Sequence, residues 1–75
     1  MSKRDRSLVT VAALVALNRA EQLQFHLPNA VKNGVGEEEL IAAITHLAFY
    51  AGWPGAMSAM SVAKKLLGDA KVEGK

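Results

Sequence analysis

Residues 37–54 read EEELIAAITHLAFYAGWP, and this stretch decides the fold. Three acids, Glu37, Glu38 and Glu39, precede Leu40, Ile44, Leu47, Ala48 and Ala51. That i, i+4, i+7, i+8, i+11 spacing is the apolar stripe a helix turns toward a core. Negative side chains in a first turn meet the positive end of the helix dipole, so the acids need no catalytic role. Gly52 supplies a stop, and Pro54 suits the first turn of a following helix.

Outward from this stretch, Gly and Pro mark off four helical segments, and the class is all-α. Ser2 with Asp5 three residues on forms a capping-box pattern, which starts a first helix near Lys3 and carries it to near Arg19. A second segment, Ala20 to Asn33, closes at Gly34, which can take the left-handed conformation of a helix stop. Within it Pro28 lacks an amide donor and crowds the carbonyl of Gln24, predicting a kink or a break into two short helices near Leu27. The fourth helix runs from Pro54 past Leu66 and Leu67 to Gly68. Residues 1–75 form one domain, and the tail Asp69 to Lys75 should fray.

The chain has 75 residues, 51% of them hydrophobic and 21% charged, a composition that folds and does not stay disordered. A domain this small buries only about 60% of its unfolded surface, and zero Cys rules out disulfide staples, zinc–thiolate sites and thiol chemistry. From Leu8 to Leu17 only Thr10 is polar. A helix apolar all round wants cover on every side, and three short neighbours supply about half of it. The rest should come from further copies of the chain.

Nine Lys and Arg against seven Asp and Glu leave a net charge of +2, too thin and too scattered for a nucleic-acid footprint. The basic start and the Leu8 to Leu17 run resemble a signal peptide only superficially. Asp5 interrupts the basic region, no small-x-small cleavage pattern follows, and the run falls short of the roughly 20 residues a membrane helix needs. Neither nucleic acid nor membrane is an expected partner.

Two constellations could carry chemistry. Arg19, Gln22 and His26 are spaced i, i+3, i+7, which on a continuous helix gathers a guanidinium fork, an amide and an imidazole on one stripe. The alternative is that Arg19 caps the first helix and His26 is a half-buried packing residue. Glu21 lies about 140° around the helix from His26; it either reaches another helix or subunit or is a solvated acid. The second constellation is His46, Tyr50 and Trp53, with Phe49 beside them, opposite the Leu40/Ile44/Leu47 stripe and behind Ala42 and Ala43. It could wall a small-molecule pocket or form an aromatic packing face. No His-Glu-x-x-His and no His pair at i, i+4 suggests a metal. Gly34-Val35-Gly36 lacks the third glycine and the strand of a dinucleotide site, and no Ser or Thr has a catalytic motif around it.

The run Arg6-Ser7-Leu8-Val9-Thr10-Val11-Ala12-Ala13-Leu14, then Glu21-x4-His26-Leu27, then Asn33-Gly34-Val35 with Glu38-Glu39-Leu40-Ile41, and above all Thr45-His46-Leu47-Ala48-Phe49-Tyr50-Ala51-Gly52-Trp53-Pro54, resembles the carboxymuconolactone decarboxylase family over Lys3 to Leu67. The resemblance implies the all-α fold of alkylhydroperoxidase D and a homotrimer or homohexamer. One branch of that family carries Cys-x-x-Cys-x-x-x-His where this chain has Arg19, Gln22 and His26, and a relay carboxylate where it has Ser7. Only the His remains, so thiol peroxidase activity is excluded. The other branch is cofactor-free and acts on a small anionic lactone of aromatic-acid breakdown. Gly36 stands where the family usually has Thr, and Pro28 also departs from its pattern.

The expected function is therefore a cofactor-free carboxy-lyase or lactone-processing enzyme for a small carboxylate-bearing molecule, in the cytoplasm. His26 and His46 are the candidate catalytic residues. Arg19, Gln22, Tyr50 and Trp53 are candidates for substrate binding, and Glu21 is a supporting acid. The alternative is a non-catalytic oligomeric binding or scaffold protein of the same fold.

Overall fold

The chain opens with Ser2 in extended backbone, its hydroxyl accepting from the Asp5 amide at 3.0 Å. This cap starts α1 (Lys3–Ala16) where the sequence indicates. The computed structural model describes residues 1–68, with side chains through Leu66; the expected fraying of Asp69 to Lys75 lies outside the described residues.

α1 stops at Ala16 and not near Arg19. Asn18 adopts φ 59°, its amide donates to the Val15 carbonyl at 3.1 Å, and the Arg19 amide donates to that of Leu14 at 2.8 Å. These are the two bonds of a left-handed helix stop, a conformation Asn tolerates better than most side chains. The same device ends α2 (Ala20–Lys32): Gly34 takes φ 104°, its amide donates to Val31 and the Val35 amide to Ala30, both at 3.0 Å. Val35 is then folded into the core.

The break expected at Pro28 does not occur, and α2 is one helix. Pro28 removes one hydrogen bond to the Gln24 carbonyl, but both residues lie on the exposed side, where water can take that carbonyl. Leu23, Leu27 and Ala30 on the other side are completely buried, and their packing holds the helix through the defect.

α3 (Glu37–Ala51) begins as its acids predict. The Glu39 carboxylate accepts from the Gly36 amide at 2.8 Å and pairs with Arg4, which also pairs with Asp5. The acid-rich turn thus ties the start of α3 to the start of α1. Gly52, at φ 107°, is the single residue between α3 and α4 (Trp53–Ala63), an angle that strains any residue with a Cβ. Pro54 sits in the first turn of α4, and a π-helical turn continues from Lys64 to Gly68.

The four helices pack as two pairs, α1 with α2 and α3 with α4, closed by α1 on α3 and α2 on α4. Val11, Val15, Leu23, Leu27, Leu40 and Ile44 fill the centre. Ala51, expected in the core stripe, is exposed at the Gly52 turn, and Leu47 is half-buried. α4 presents Ala56, Ala59 and Ala63 inward, and a Cβ on Gly55 would lie 2.9 Å from the Val15 carbonyl oxygen. Small residues thus let α4 approach the backbone of α1 closely. Val9 of α1 and Leu17, its C-cap, remain 56% and 63% exposed, so the described residues do not cover the apolar first helix. No described helix is long and apolar enough to cross a membrane.

Candidate functional site

Lys3, Arg6, Ser7 and Thr10 recur at i, i+3, i+4, i+7 along α1, and His26, Asn29 and Asn33 at i, i+3, i+7 along α2. Each set forms one stripe of its helix. The two stripes line a single open groove of about 240 Å³. The beginning of α1 therefore lies beside the end of α2. Asn33 bridges them, its Nδ2 donating to Ser7 Oγ at 2.8 Å in a partly buried bond.

The groove has a consistent chemistry. Two cations, an imidazole, two amides and two hydroxyls line it, and none of its seven lining residues is acidic. His26 is half-buried, its ring meeting the edge of Phe25 at 5.0 Å between centroids. Cations, neutral donors and an imidazole are the side-chain types that suit a carboxylate.

Arg19, Glu21 and Gln22 line a different recess, with Asn18 and Ala20, of about 370 Å³. The expected convergence of Arg19 and Gln22 with His26 assumes a continuous helix, but Arg19 is the N-cap of α2 with φ −106° and ψ 67°. It also stands roughly 10 Å along the helix axis from His26, at 1.5 Å per residue. Arg19 and Gln22 share this recess with Glu21, and His26 shares the groove with Lys3 and Arg6, while Gln22 and His26 remain i, i+4 neighbours on α2.

His46 is exposed on α3 and stacks on Tyr50 at 4.8 Å between centroids, tilted by 42°. Phe49 meets Trp53 edge-on at 5.3 Å. Phe49 and Tyr50 are 70% and 77% exposed, and Trp53 and Met57 extend the same apolar surface. Among the described residues this constellation is an exposed aromatic face. Among the described residues, no three His, Asp or Glu side chains gather as a metal site.

Sequence alone starts the first helix near Lys3, but its surface was weighed only over the apolar Leu8 to Leu17 run, so the groove was missed. The signal was the polar i, i+3, i+4, i+7 pattern one turn earlier. It becomes a site only when α2 lies antiparallel to α1.

The sequence model of the carboxymuconolactone decarboxylase family matches residues 1–65. Over 69 residues the chain is 41% identical to 4-carboxymuconolactone decarboxylase of Acinetobacter baylyi, covering 92% of this chain and 52% of that protein. It is 33% identical over 69 residues to nitrosuccinic acid decarboxylase of Metarhizium robertsii, covering 92% and 48% respectively. The chain spans about half the length of these curated relatives. Its lack of Cys fits the branch without the Cys-x-x-Cys motif. By this match, and with four helices and no strand among the described residues, the chain belongs to the carboxymuconolactone decarboxylase family.

Proposed function

We propose that the chain forms the site of a cofactor-free decarboxylase acting on a small carboxylate-bearing molecule, with His26 as proton donor. The observation that carries this reading is the groove that Lys3, Arg6 and His26 line together, with no acid among its seven lining residues. Two relatives named as decarboxylases support the reaction class. The groove is smaller than the roughly 300–1,000 Å³ of sites for drug-sized ligands, which favours a compact acid.

The chemistry follows from the lining. When a carboxylate leaves as CO2, the electrons of the broken C–C bond stay on the substrate carbon. The His26 imidazolium gives that carbon its proton and regains one from solvent. Arg6 and Lys3 hold a carboxylate that does not leave, fixing the reacting carbon near the imidazole. This reading moves the substrate-holding role expected of Arg19 and Gln22 to Arg6 and Lys3.

The aromatic face has a different role. Phe49, Tyr50, Trp53 and Met57 expose a contiguous apolar surface, and soluble chains rarely leave such a surface uncovered. A second copy of the chain covers it within a homotrimer or homohexamer, which also encloses His46. Native mass spectrometry is expected to give an oligomer, and a stable 8.0 kDa monomer at micromolar concentration contradicts this.

The catalytic reading is tested by CO2 release from 4-carboxymuconolactone and from nitrosuccinate. Release from at least one is expected, with Glu21→Ala retaining activity. Folded, assembled protein that decarboxylates neither acid overturns the reading.

A further inference from the structure

We propose that Ser7 is a further substrate-binding residue, its hydroxyl turned into the groove as a hydrogen-bond donor by Asn33. The inference rests on the groove being the substrate site and names a donor there that charge and titration do not reveal.

A helical serine ordinarily returns its hydroxyl proton to the carbonyl four residues earlier. Thr45 of α3 does this, donating to the Ile41 carbonyl at 2.9 Å. Ser7 does not. Its Oγ accepts from Asn33 Nδ2 at 2.8 Å, and its own proton has no acceptor among the described residues. Ser7 is half-buried and lines the same groove as Arg6 and His26. With one lone pair occupied by Asn33 and the proton not returned to the helix, the O–H is left to point into the groove.

Asn33 is well fixed for this task. It caps α2, and its backbone amide donates to the carbonyls of Asn29 at 3.0 Å and Ala30 at 3.1 Å. Its side chain cannot leave Ser7 without exchanging a partly buried bond for water. A carboxylate can only accept, so an oriented neutral donor beside two cations suits one of its oxygens. Lys3 and Arg6 supply attraction to any anion. The Ser7–Asn33 pair adds a direction.

Succinate is the probe, followed by isothermal titration with wild type, Ser7→Ala, Ser7→Thr, Asn33→Ala and the Ser7/Asn33 double alanine variant, each checked for an unchanged fold by circular dichroism. Ser7→Ala is expected to weaken binding about tenfold, the scale of a hydrogen bond to a charged group. Ser7→Thr keeps the hydroxyl and should stay within about threefold of wild type on the same scale. Asn33→Ala should weaken binding too, and the double variant should bind about as weakly as Ser7→Ala alone, because Asn33 acts largely through Ser7.

If wild type binds succinate and Ser7→Ala binds equally well, the Ser7 assignment is overturned while the groove stands. Fully additive losses overturn the orienting role of Asn33. If wild type does not bind succinate, both the groove reading and this inference fall. If the binding pattern holds but neither acid is decarboxylated, the proposed reaction fails and Ser7 stands.

Discussion

The two histidines of this chain occupy opposite kinds of surface. His26 is half-buried in a groove lined by Lys3, Arg6, Asn29 and Asn33, all polar and none acidic. His46 is exposed among Tyr50, Phe49 and Trp53, on a face made almost wholly of rings. The same imidazole lies among cations and amides in one place and among rings in the other. What separates them is the neighbouring helix: α1 brings cations to the groove of His26, and His46 is exposed among the described residues.

The strongest way to break this comparison is to remove each ring in turn. His26→Ala should lower kcat/KM for the decarboxylated acid by at least about a hundredfold, the scale of lost general acid catalysis. His46→Ala should act through assembly, with a smaller effect on turnover once subunits are associated. Equal losses at matched oligomeric state would place both histidines in one site shared between copies.

A second substitution separates the two halves of α1. The beginning of that helix makes the groove, and its end seats α4 where Gly55 approaches the Val15 carbonyl. Gly55→Ala forces a Cβ to within 2.9 Å of that oxygen, and overpacking of this kind costs about 1–3 kcal/mol. A fall in Tm of roughly 4–8 °C per kcal/mol is expected for a domain this size, with succinate affinity retained. An unchanged Tm would mean that α4 can move away from α1 freely.

The smallest effect compares the two arginines. Arg6→Ala should weaken succinate binding about tenfold, whereas Arg19→Ala should change it by less than about threefold, since rim charges contribute little. The reverse order would return the carboxylate to the Arg19, Glu21 and Gln22 recess.

Much of the fold was legible because its boundaries are local chemistry. Ser2, Gly34, the Glu37 to Glu39 turn, Gly52 and Pro54 each act within four residues of where they stand, and each marks a helix end as read. Asn18 carried the same kind of signal, and only its left-handed stop explains why α1 ends at Ala16. Pro28 does not break α2 because its local cost is outweighed by burial of Leu23, Leu27 and Ala30, which is a tertiary effect. The groove was illegible for a related reason. Helical spacing links Arg19, Gln22 and His26 within α2, but which helix lies across from His26, and in which direction, depends on how α1 and α2 pair. Ser7 and Asn33 are 26 positions apart in sequence and 2.8 Å apart in the fold.

The most direct test of where the chemistry resides is the aromatic proton–carbon NMR spectrum of the two histidines during a succinate titration of the assembled protein. The account predicts that the His26 signals shift and saturate with the binding isotherm while those of His46 stay in place. Saturable shifts of His46 with His26 unmoved would contradict it, and would place the substrate on the aromatic face.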